Sequence, residues 1–401
     1  MLIKLFCRKT FCIFFCFILV FSYCNNSVYA NAKNLDINAR SYVVLDRKSK
    51  KVLIGKNEYN RVKMASTTKI MTATIILENC NLNNIVTVSK KAGGTGGSRL
   101  GLKANDKISV HDLLYGLLLC SGNDAAVALA EYVSGSILDF CELMNSKAKE
   151  LGMSNTHFET PHGLDSDGHY TTAYELALIT DYALQNNTFR KIVETKNYTV
   201  NINGYPKTLS NTNELLGIVN GIYGVKTGFT NGANRCLVTA CKRGEMDIIC
   251  VVLGCDTKKF RGKDSIKLID YCFDTFEYFN IENFINTKIL DWKNANSDYF
   301  NIYKGISNNL DITYSKIDNP IIPIEKNRIN SLEIKFNINK NLSAPISNTD
   351  IIGNYEIYSG EDIIYNGNII SNSTINKKNV KHYFTNFLKY YSYILNKVSI
   401  F

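Results

Sequence analysis

The strongest constraint on the fold is the order in which two kinds of hydrophobic pattern follow each other along this 401-residue chain. Two short β-prone runs around a polar turn predict a hairpin over residues 41–55. Helical spacing of apolar residues follows in five stretches, at 66–79, 111–118, 124–133, 137–151 and 172–184. Two β-rich runs and a helical stretch come last, at 236–241, 247–254 and 265–279. Strands on both sides of a block of helices predict an α/β (α+β) domain with an antiparallel sheet flanked by helices.

The composition of the chain changes near residue 280. From 278 to 376 it is rich in Asn and Ile and contains short alternating segments, such as residues 331–336. This pattern predicts a small β-rich domain. We therefore assign residues 31–277 to the first domain and residues 278–376 to the second.

The last 25 residues, 377–401, are predicted to form a basic amphipathic helix. Its large apolar residues recur every three or four positions, and they are Phe384, Phe387, Leu388, Tyr391, Ile394, Leu395 and Val398. Lys381, Lys389 and Lys397 fall mainly on the other side. Such a helix is suited to lie in a membrane interface, whereas the alternative is that it packs on the protein. A true span is disfavoured because three lysines interrupt the stretch.

The N-terminus, residues 1–30, has the pattern of a secretory signal peptide. A basic region with Lys4, Arg8 and Lys9 precedes the apolar run 11–21, and Val28-Tyr29-Ala30 offers a cleavage site. The alternative is a retained membrane anchor, but the apolar run is short for a span of about 20 residues. We therefore expect the protein to be exported.

Charge and cysteine content narrow the possible partners. The formal charge is +10, and removal of residues 1–30 leaves +7, which suits an anionic membrane or wall surface. Nucleic acid is not expected as a partner, because the protein is exported and lacks an arginine-rich or aromatic RNA motif. Of the 12 cysteines, four lie in the signal, and no pair has the CxxC spacing of a zinc ribbon or thioredoxin-like site. No disulfide framework can be read from the remaining eight.

Three short motifs carry the chemistry that we predict. Ser66-Thr67-Thr68-Lys69 opens the first helix, Ser121-Gly122-Asn123 lies at a helix–helix junction, and Lys226-Thr227-Gly228 enters a strand. A serine hydroxyl needs a neighbouring base to attack a carbonyl, and Lys69 lies one helical turn after Ser66. To act as a base this lysine must be neutral, which burial or a second cation such as Lys226 favours.

The other motif residues have roles that follow from their chemistry. The backbone N–H of Ser66, at the helix start, can hold a developing oxyanion. Ser121 can relay a proton to the leaving amine, and Asn123 can hydrogen-bond the peptide group of the substrate. Lys226 and Thr227 suit a substrate carboxylate, while Gly228 permits close backbone approach.

Each motif is weak alone, and the ordered triple is specific. S-x-x-K also occurs at Ser146–Lys149, which is interpreted as a surface helix pair, and S-x-N recurs at residues 307–309. His157, His162 and His169 with two nearby aspartates have no standard zinc spacing, so we expect a hydrogen-bonded loop there and no metal or cofactor. The glycine-rich segment 93–98 lacks the ending of a phosphate loop, and a mobile loop beside the cleft is the better interpretation.

The ordered set S-x-x-K, S-x-N and K-T-G, with separations of 55 and 105 residues, is typical of penicillin-binding proteins and related serine β-lactamases. The segments 65–73, 121–126, 160–165, 169–172 and 226–230 resemble the low-molecular-weight D-Ala-D-Ala carboxypeptidases. The resemblance covers roughly residues 35–275, more weakly the remainder, and implies a serine β-lactamase/transpeptidase-like catalytic domain.

The resemblance also implies further site residues. The backbone N–H of Phe229 would be the second oxyanion donor, and Arg261, expected before the closing helix, would help to bind the substrate carboxylate. Some members carry another arginine before K-T-G, where this chain has Asn211-Thr212-Asn213. The C-terminal helix would hold the enzyme on the outer face of the cytoplasmic membrane, at the cell wall.

The expected function is therefore a serine-type D-Ala-D-Ala carboxypeptidase. It would remove the terminal D-alanine from peptidoglycan pentapeptides through a Ser66 acyl-enzyme and would be acylated by β-lactam antibiotics. Two alternatives stay open at this point. One is a class A-like β-lactamase, for which Glu159 is the nearest candidate for the deacylating glutamate, in an unlike local context. The other is a non-catalytic protein that binds wall or membrane.

Overall fold

The computed structural model describes residues 35–398. The predicted signal peptide lies outside the described residues and stays a prediction.

A five-stranded antiparallel sheet forms the centre of the first domain, in the order β2-β1-β9-β8-β7. Its strands are β1 (Ser41–Asp46), β2 (Val52–Lys56), β7 (Ile222–Thr230), β8 (Asn234–Arg243) and β9 (Met246–Cys255). The N-terminal hairpin thus lies beside the last strands, as the order of the sequence patterns predicts. Two small hairpins lie between, formed by β3 (Ile85–Thr87) with β4 (Lys107–Ser109) and by β5 (Asn197–Ile202) with β6 (Tyr205–Ser210).

Helices cover both faces of this sheet. Seven of them lie between β2 and β7, namely α1 (Lys69–Asn79), α2 (Lys90–Gly94), α3 (Val110–Leu118), α4 (Asn123–Ser134), α5 (Ile137–Glu150), α6 (Ala173–Ala183) and α7 (Asn187–Glu194). They enclose a core that includes Ile249 and Val251 of β9, whereas the alternate residues Ile248 and Cys250 enter a second core beneath α8 (Lys258–Thr275). Successive side chains of a strand point to opposite faces, so β9 belongs to both cores. The fold class predicted from the sequence is confirmed.

The closing helix differs from its predicted range of 265–279. Helix α8 begins seven residues earlier, where the Thr257 hydroxyl accepts the backbone N–H of Phe260 and caps it. The polar first turns of α8 have no apolar stripe, so the pattern alone did not reveal them. At the other end, Phe276 begins strand β10 (Phe276–Asn280), which pairs with β13 (Ile321–Glu325).

The second domain is β-rich, as predicted, but it opens with a helix that the sequence analysis missed. Asn280 caps α9 (Ile281–Ala295) by accepting the Asn283 N–H. The other strands are β11 (Asn301–Tyr303), β12 (Ile312–Tyr314), β14 (Leu332–Ile338), β15 (Asn341–Ser343), β16 (Ile351–Ser359) and β17 (Asp362–Ser371). They surround a separate isoleucine-rich core. The Tyr278 hydroxyl donates to Asp46 Oδ1 at 2.7 Å and links the two domains.

The C-terminal helix α10 (Val380–Val398) is present, and its side chains from Val380 to Leu395 are exposed. The described part of this helix therefore does not pack on the remainder of the described chain, as the alternative interpretation of its sequence had required. Among residues 35–398, no helix is long and apolar enough to cross a bilayer. Placement of this helix in a membrane interface stays a prediction.

The cysteines after residue 34 are all free thiols. Six of them are buried in the first domain, for example Cys236 and Cys272, and the other two are partly buried. Burial raises the pKa of the Cys236 thiol to about 11. These thiols therefore pack as small neutral hydrophobes.

Candidate active site

Ser66 lies in a tight turn at the start of the first helix. The predicted helix begins as a 3₁₀ turn over Ala65–Thr68, and α1 proper starts at Lys69. The Thr67 hydroxyl donates to Met64 O at 2.6 Å and the Thr68 hydroxyl to Ala65 O at 2.8 Å, which stabilises the turn. Ser66 is partly exposed between buried neighbours, so its hydroxyl faces the cleft side of the turn.

Lys69 is fully buried, and three acceptors surround its amine. Nζ lies 2.9 Å from Ser66 Oγ, 2.8 Å from Asn123 Oδ1 and 2.7 Å from His162 O. None of these three partners is a carboxylate. Burial, and secondly the positive charge of Lys226, hold the pKa of Lys69 well below its usual value. The neutral amine is thereby favoured, as a general base for Ser66 requires.

The second motif joins α3 to α4. Ser121 is buried and adopts a left-handed conformation, with φ of 62°, two residues before Asn123. The Asn123 side chain accepts from Lys69 and donates to Gly96 O at 2.8 Å, which connects the base to the glycine-rich segment. Asp124 accepts the backbone N–H groups of Leu100, Gly101 and Leu102, so its role is structural.

The third motif lies on β7, the edge strand of the sheet. Lys226 is buried and donates to Thr227 O at 3.0 Å. Burial lowers the pKa of Lys226 to about 7, and the Arg261 cation acts in the same direction. A methyl group at Gly228 would lie 3.1 Å from Met64 O and 3.2 Å from Ser66 N. Glycine therefore lets β7 lie this close to the Ser66 turn without a shift of the neighbouring backbone.

Phe229 follows the third motif on β7, and its side chain packs against Arg235. Its side chain is 46% exposed, and the Arg235 guanidinium stacks 3.5 Å from the ring centroid. The predicted role of Phe229 concerns only its backbone N–H.

Arg261 does not precede the closing helix but lies inside its first turn. It is buried, and its Nη2 donates to both oxygens of Glu214 at 2.6 and 2.5 Å. The sequence analysis missed Glu214, because nothing in a sequence shows that residues 47 positions apart form a pair. Thr212, in the segment that lacks the second arginine, contacts Thr227, with 2.8 Å between the two hydroxyl oxygens.

The loop with the three histidines supports the serine turn. Its residue His162 supplies the carbonyl that accepts from Lys69, and His169 Nε2 lies 2.8 Å from Thr68 Oγ1. Burial lowers the pKa of His169 to about 4, so the ring is neutral and its Nδ1 accepts the Glu159 N–H. Asp165 fastens the loop to β7 by accepting the Thr230 hydroxyl at 2.7 Å. The short segment 160–165 was visible in the sequence, but its contact with Lys69 was not.

Three other residues with the spacing or the chemistry of catalytic groups are exposed on the surface. Ser146 and Lys149 are both exposed on α5, which confirms the surface helix pair. Glu159 is exposed, and its carboxylate accepts the Ser166 hydroxyl. None of the contacts described for Ser66 or Lys69 involves Glu159.

A serine hydroxyl next to a buried lysine amine, at the edge of an antiparallel sheet, is typical of serine acyl-transfer enzymes. Residues 27–257 match the D-alanyl-D-alanine carboxypeptidase family, and residues 293–377 match the C-terminal domain of penicillin-binding protein 5. The D-alanyl-D-alanine carboxypeptidase DacF of Bacillus subtilis is 35% identical over 323 residues, 79% of this chain and 80% of the relative.

Solved structures agree with these matches. The D-alanyl-D-alanine carboxypeptidase DacD of Francisella tularensis superposes with a TM-score of 0.72 at 25% identity, over 89% of this chain and 98% of that one. The Streptomyces K15 DD-transpeptidase superposes with a TM-score of 0.57 at 36% identity, over 59% of this chain and 97% of that one. The chain belongs to the D-alanyl-D-alanine carboxypeptidase family and is a serine-type D-Ala-D-Ala carboxypeptidase.

Proposed function

We propose that Ser66 is the nucleophile and that Lys69 is its base. The proton of the Ser66 hydroxyl passes to the Lys69 amine while Oγ bonds to the carbonyl carbon between the two D-alanines of a peptidoglycan stem peptide. The C–N bond then breaks, the terminal D-alanine leaves with a proton relayed through Ser121, and water hydrolyses the Ser66 ester. The observation that most directly supports this proposal is that the buried Lys69 amine lies 2.9 Å from Ser66 Oγ.

The remaining motif residues bind the substrate in this proposal. The backbone N–H groups of Ser66 and Phe229 hold the oxyanion, and Gly228 lets β7 come close enough for both to act on one oxygen. Lys226 and Thr227 face the terminal carboxylate, with Arg261 behind them, and Asn123 positions the Lys69 amine as well as the peptide group. The same nucleophile would open the β-lactam ring and stay acylated, as binding of these antibiotics in the family implies.

The alternatives have less support. A class A-like β-lactamase needs a carboxylate that directs water to the acyl-enzyme, and Glu159 is turned to solvent. A non-catalytic binding protein would not need the buried amine at Ser66, because burial of a lysine carries a cost in stability. One of the matched structures is called a DD-transpeptidase, so transfer to an amine is the second candidate for the fate of the acyl group.

Mass spectrometry tests the proposed reaction directly. We expect the protein without residues 1–30 to convert a muramyl pentapeptide to the tetrapeptide, with loss of one alanine. Addition of a free amine distinguishes hydrolysis of the acyl-enzyme from transfer of the acyl group, since transfer would give a product that contains the amine. Rapid hydrolysis of penicillin without any release of D-alanine would instead identify a β-lactamase.

We further propose that the exported protein is held on the outer face of the cytoplasmic membrane by α10. Its apolar side chains are exposed, for example Phe384 at 60% and Phe387 at 61%, and no acidic residue follows Asp362. Apolar and cationic groups together favour an anionic lipid surface.

Removal of residues 380–401 should release the protein from membranes. We expect co-sedimentation with vesicles of phosphatidylglycerol and phosphatidylethanolamine to fall at least about tenfold, since the helix supplies apolar area and charge together. Ile218→Ser is the control, because Ile218 is an 80% exposed apolar residue outside the tail. Unchanged sedimentation of the shortened protein would show that the tail is not the anchor.

A further inference from the structure

One five-residue segment, 211–215, contacts two of the residues proposed to bind the substrate carboxylate. Thr212 Oγ1 lies 2.8 Å from Thr227 Oγ1, and the Glu214 carboxylate accepts from Arg261 at 2.5 and 2.6 Å. Asn213, between them, is anchored by donating to Gly224 O at 2.8 Å. The backbone of the segment is therefore fixed, while the side chains on either side of Asn213 reach the carboxylate-binding groups.

The two side chains of the Glu214–Arg261 pair differ in their exposure to solvent. The Arg261 side chain is 4% exposed, whereas the Glu214 side chain is 26% exposed. Arg261 Nε is also buried and, within residues 35–398, has no hydrogen-bond partner. An arginine presents its donors as a fork that a carboxylate can engage at two points. Glu214 uses only Nη2, so it satisfies the guanidinium incompletely.

A cavity of about 630 Å³ adjoins Glu214. Its lining includes Glu214, Leu215 and the aliphatic stems of Lys258, Lys259 and Lys263 of α8, and it is open to solvent. These three lysines are exposed, so their charged ends lie toward the solvent side. The Glu214 carboxylate thus has room outside its pair with Arg261 and ammonium groups near the mouth of the cavity.

We propose that Glu214 is a specificity-determining residue, an internal carboxylate that occupies Arg261 until the terminal carboxylate of a peptide displaces it into the lysine-lined cavity. This inference rests on the proposed function, in which Arg261 helps to bind that carboxylate. A substrate then engages Arg261 only by competing with Glu214, which reduces the fraction of enzyme ready to bind. Glu214 therefore competes only with ligands that carry a negative charge at this point, and it lowers the advantage of a free carboxylate over a neutral terminus.

The test compares an acyl-D-Ala-D-Ala peptide that has a free carboxyl terminus with the same peptide as its C-terminal amide. In Glu214→Gln we expect kcat/KM for the acid to rise about threefold to tenfold, because a neutral amide competes less well for a guanidinium. The value for the amide should stay within about twofold. Glu245→Gln is the matched control, since Glu245 is exposed in the turn between β8 and β9, away from this segment.

A second variant tests the cavity. Lys259→Gln with Lys263→Gln should lower kcat/KM for the acid about threefold in the wild-type background and leave it unchanged when combined with Glu214→Gln. An equal effect in both backgrounds would mean that the lysines act on the substrate directly and would overturn the displacement. Equal changes for acid and amide in Glu214→Gln, or none, would overturn the role of Glu214. Loss of D-alanine release in the wild type itself would instead refute the proposed function.

Discussion

Ser66→Ala should abolish covalent labelling by a fluorescent penicillin and the release of D-alanine. The variant lacks the only atom that the proposal gives to the acyl bond, the hydroxyl oxygen 2.9 Å from Lys69 Nζ. Stability should change by less than about 1 kcal/mol, because Ser66 is partly exposed and its side chain does not hold the turn together. Thr67 and Thr68 do so, through their bonds to Met64 and Ala65.

The measurement is labelling followed on a gel and by intact mass, with a thermal melt of each variant. Ser146→Ala is the matched control, because Ser146–Lys149 has the same S-x-x-K spacing on the exposed face of α5. It should label like the wild type. Persistent labelling of Ser66→Ala would identify a different nucleophile, of which Ser121 is the first to test.

Lys69→Met should lower the rate of acylation by about 10² to 10⁴, the usual contribution of a positioned general base. Methionine fills a similar length, so the loss reports the missing amine rather than a cavity. The variant loses the desolvation cost of the amine but leaves Asn123 Oδ1 and His162 O without this donor, so its stability should fall by about 1–3 kcal/mol. Lys149→Met is the control on the exposed face of α5.

The pH profile distinguishes loss of the base from a general structural defect. Because the pKa of Lys69 is lowered, wild-type kcat/KM should rise with pH as Lys69 loses its proton, and Lys69→Met should lack this limb. Lys226 has a pKa of about 7, so its charge, and with it the affinity for a carboxylate, decreases as the pH rises through that value. A bound carboxylate favours the charged lysine, so the alkaline limb of kcat should lie at higher pH than that of kcat/KM. If kcat/KM of Lys69→Met still rose with pH in the same range, the titrating group would be a residue other than Lys69.

The architecture was predictable because it depends on local patterns, and the three motifs of the candidate site could be read from the sequence. The K-T-G strand and the Ser66 turn are 160 residues apart, yet the residue types of both motifs indicate serine acyl transfer. The start of α8 was missed because capping by Thr257 determines it, in a segment without a clear apolar stripe. Helix α9 has such a stripe at Ile281, Ile285 and Ile289, but the Asn- and Ile-rich composition of this region favoured strands.

Long-range polar pairs were the other class of feature beyond prediction. The contacts of Glu214 with Arg261 and of His162 with Lys69 join residues that are far apart in the sequence and that only the tertiary fold brings together. A sequence shows that such residues are present but not that they share a location. Arg261 illustrates the difference, since its position near the carboxylate-binding groups was expected and its carboxylate partner was not.

The strand β9 has a consequence for how the first domain unfolds. Its alternate residues belong to two cores, with Ile249 and Val251 in one and Ile248 and Cys250 in the other. Because β9 packs in both cores, loss of packing in one core removes a strand from the other. The Ser66 turn and helix α8 should therefore unfold in one cooperative transition. The second domain has a core of its own and constitutes a separate cooperative unit. Denaturation of the whole chain should therefore show two transitions, with catalytic activity lost in only one of them.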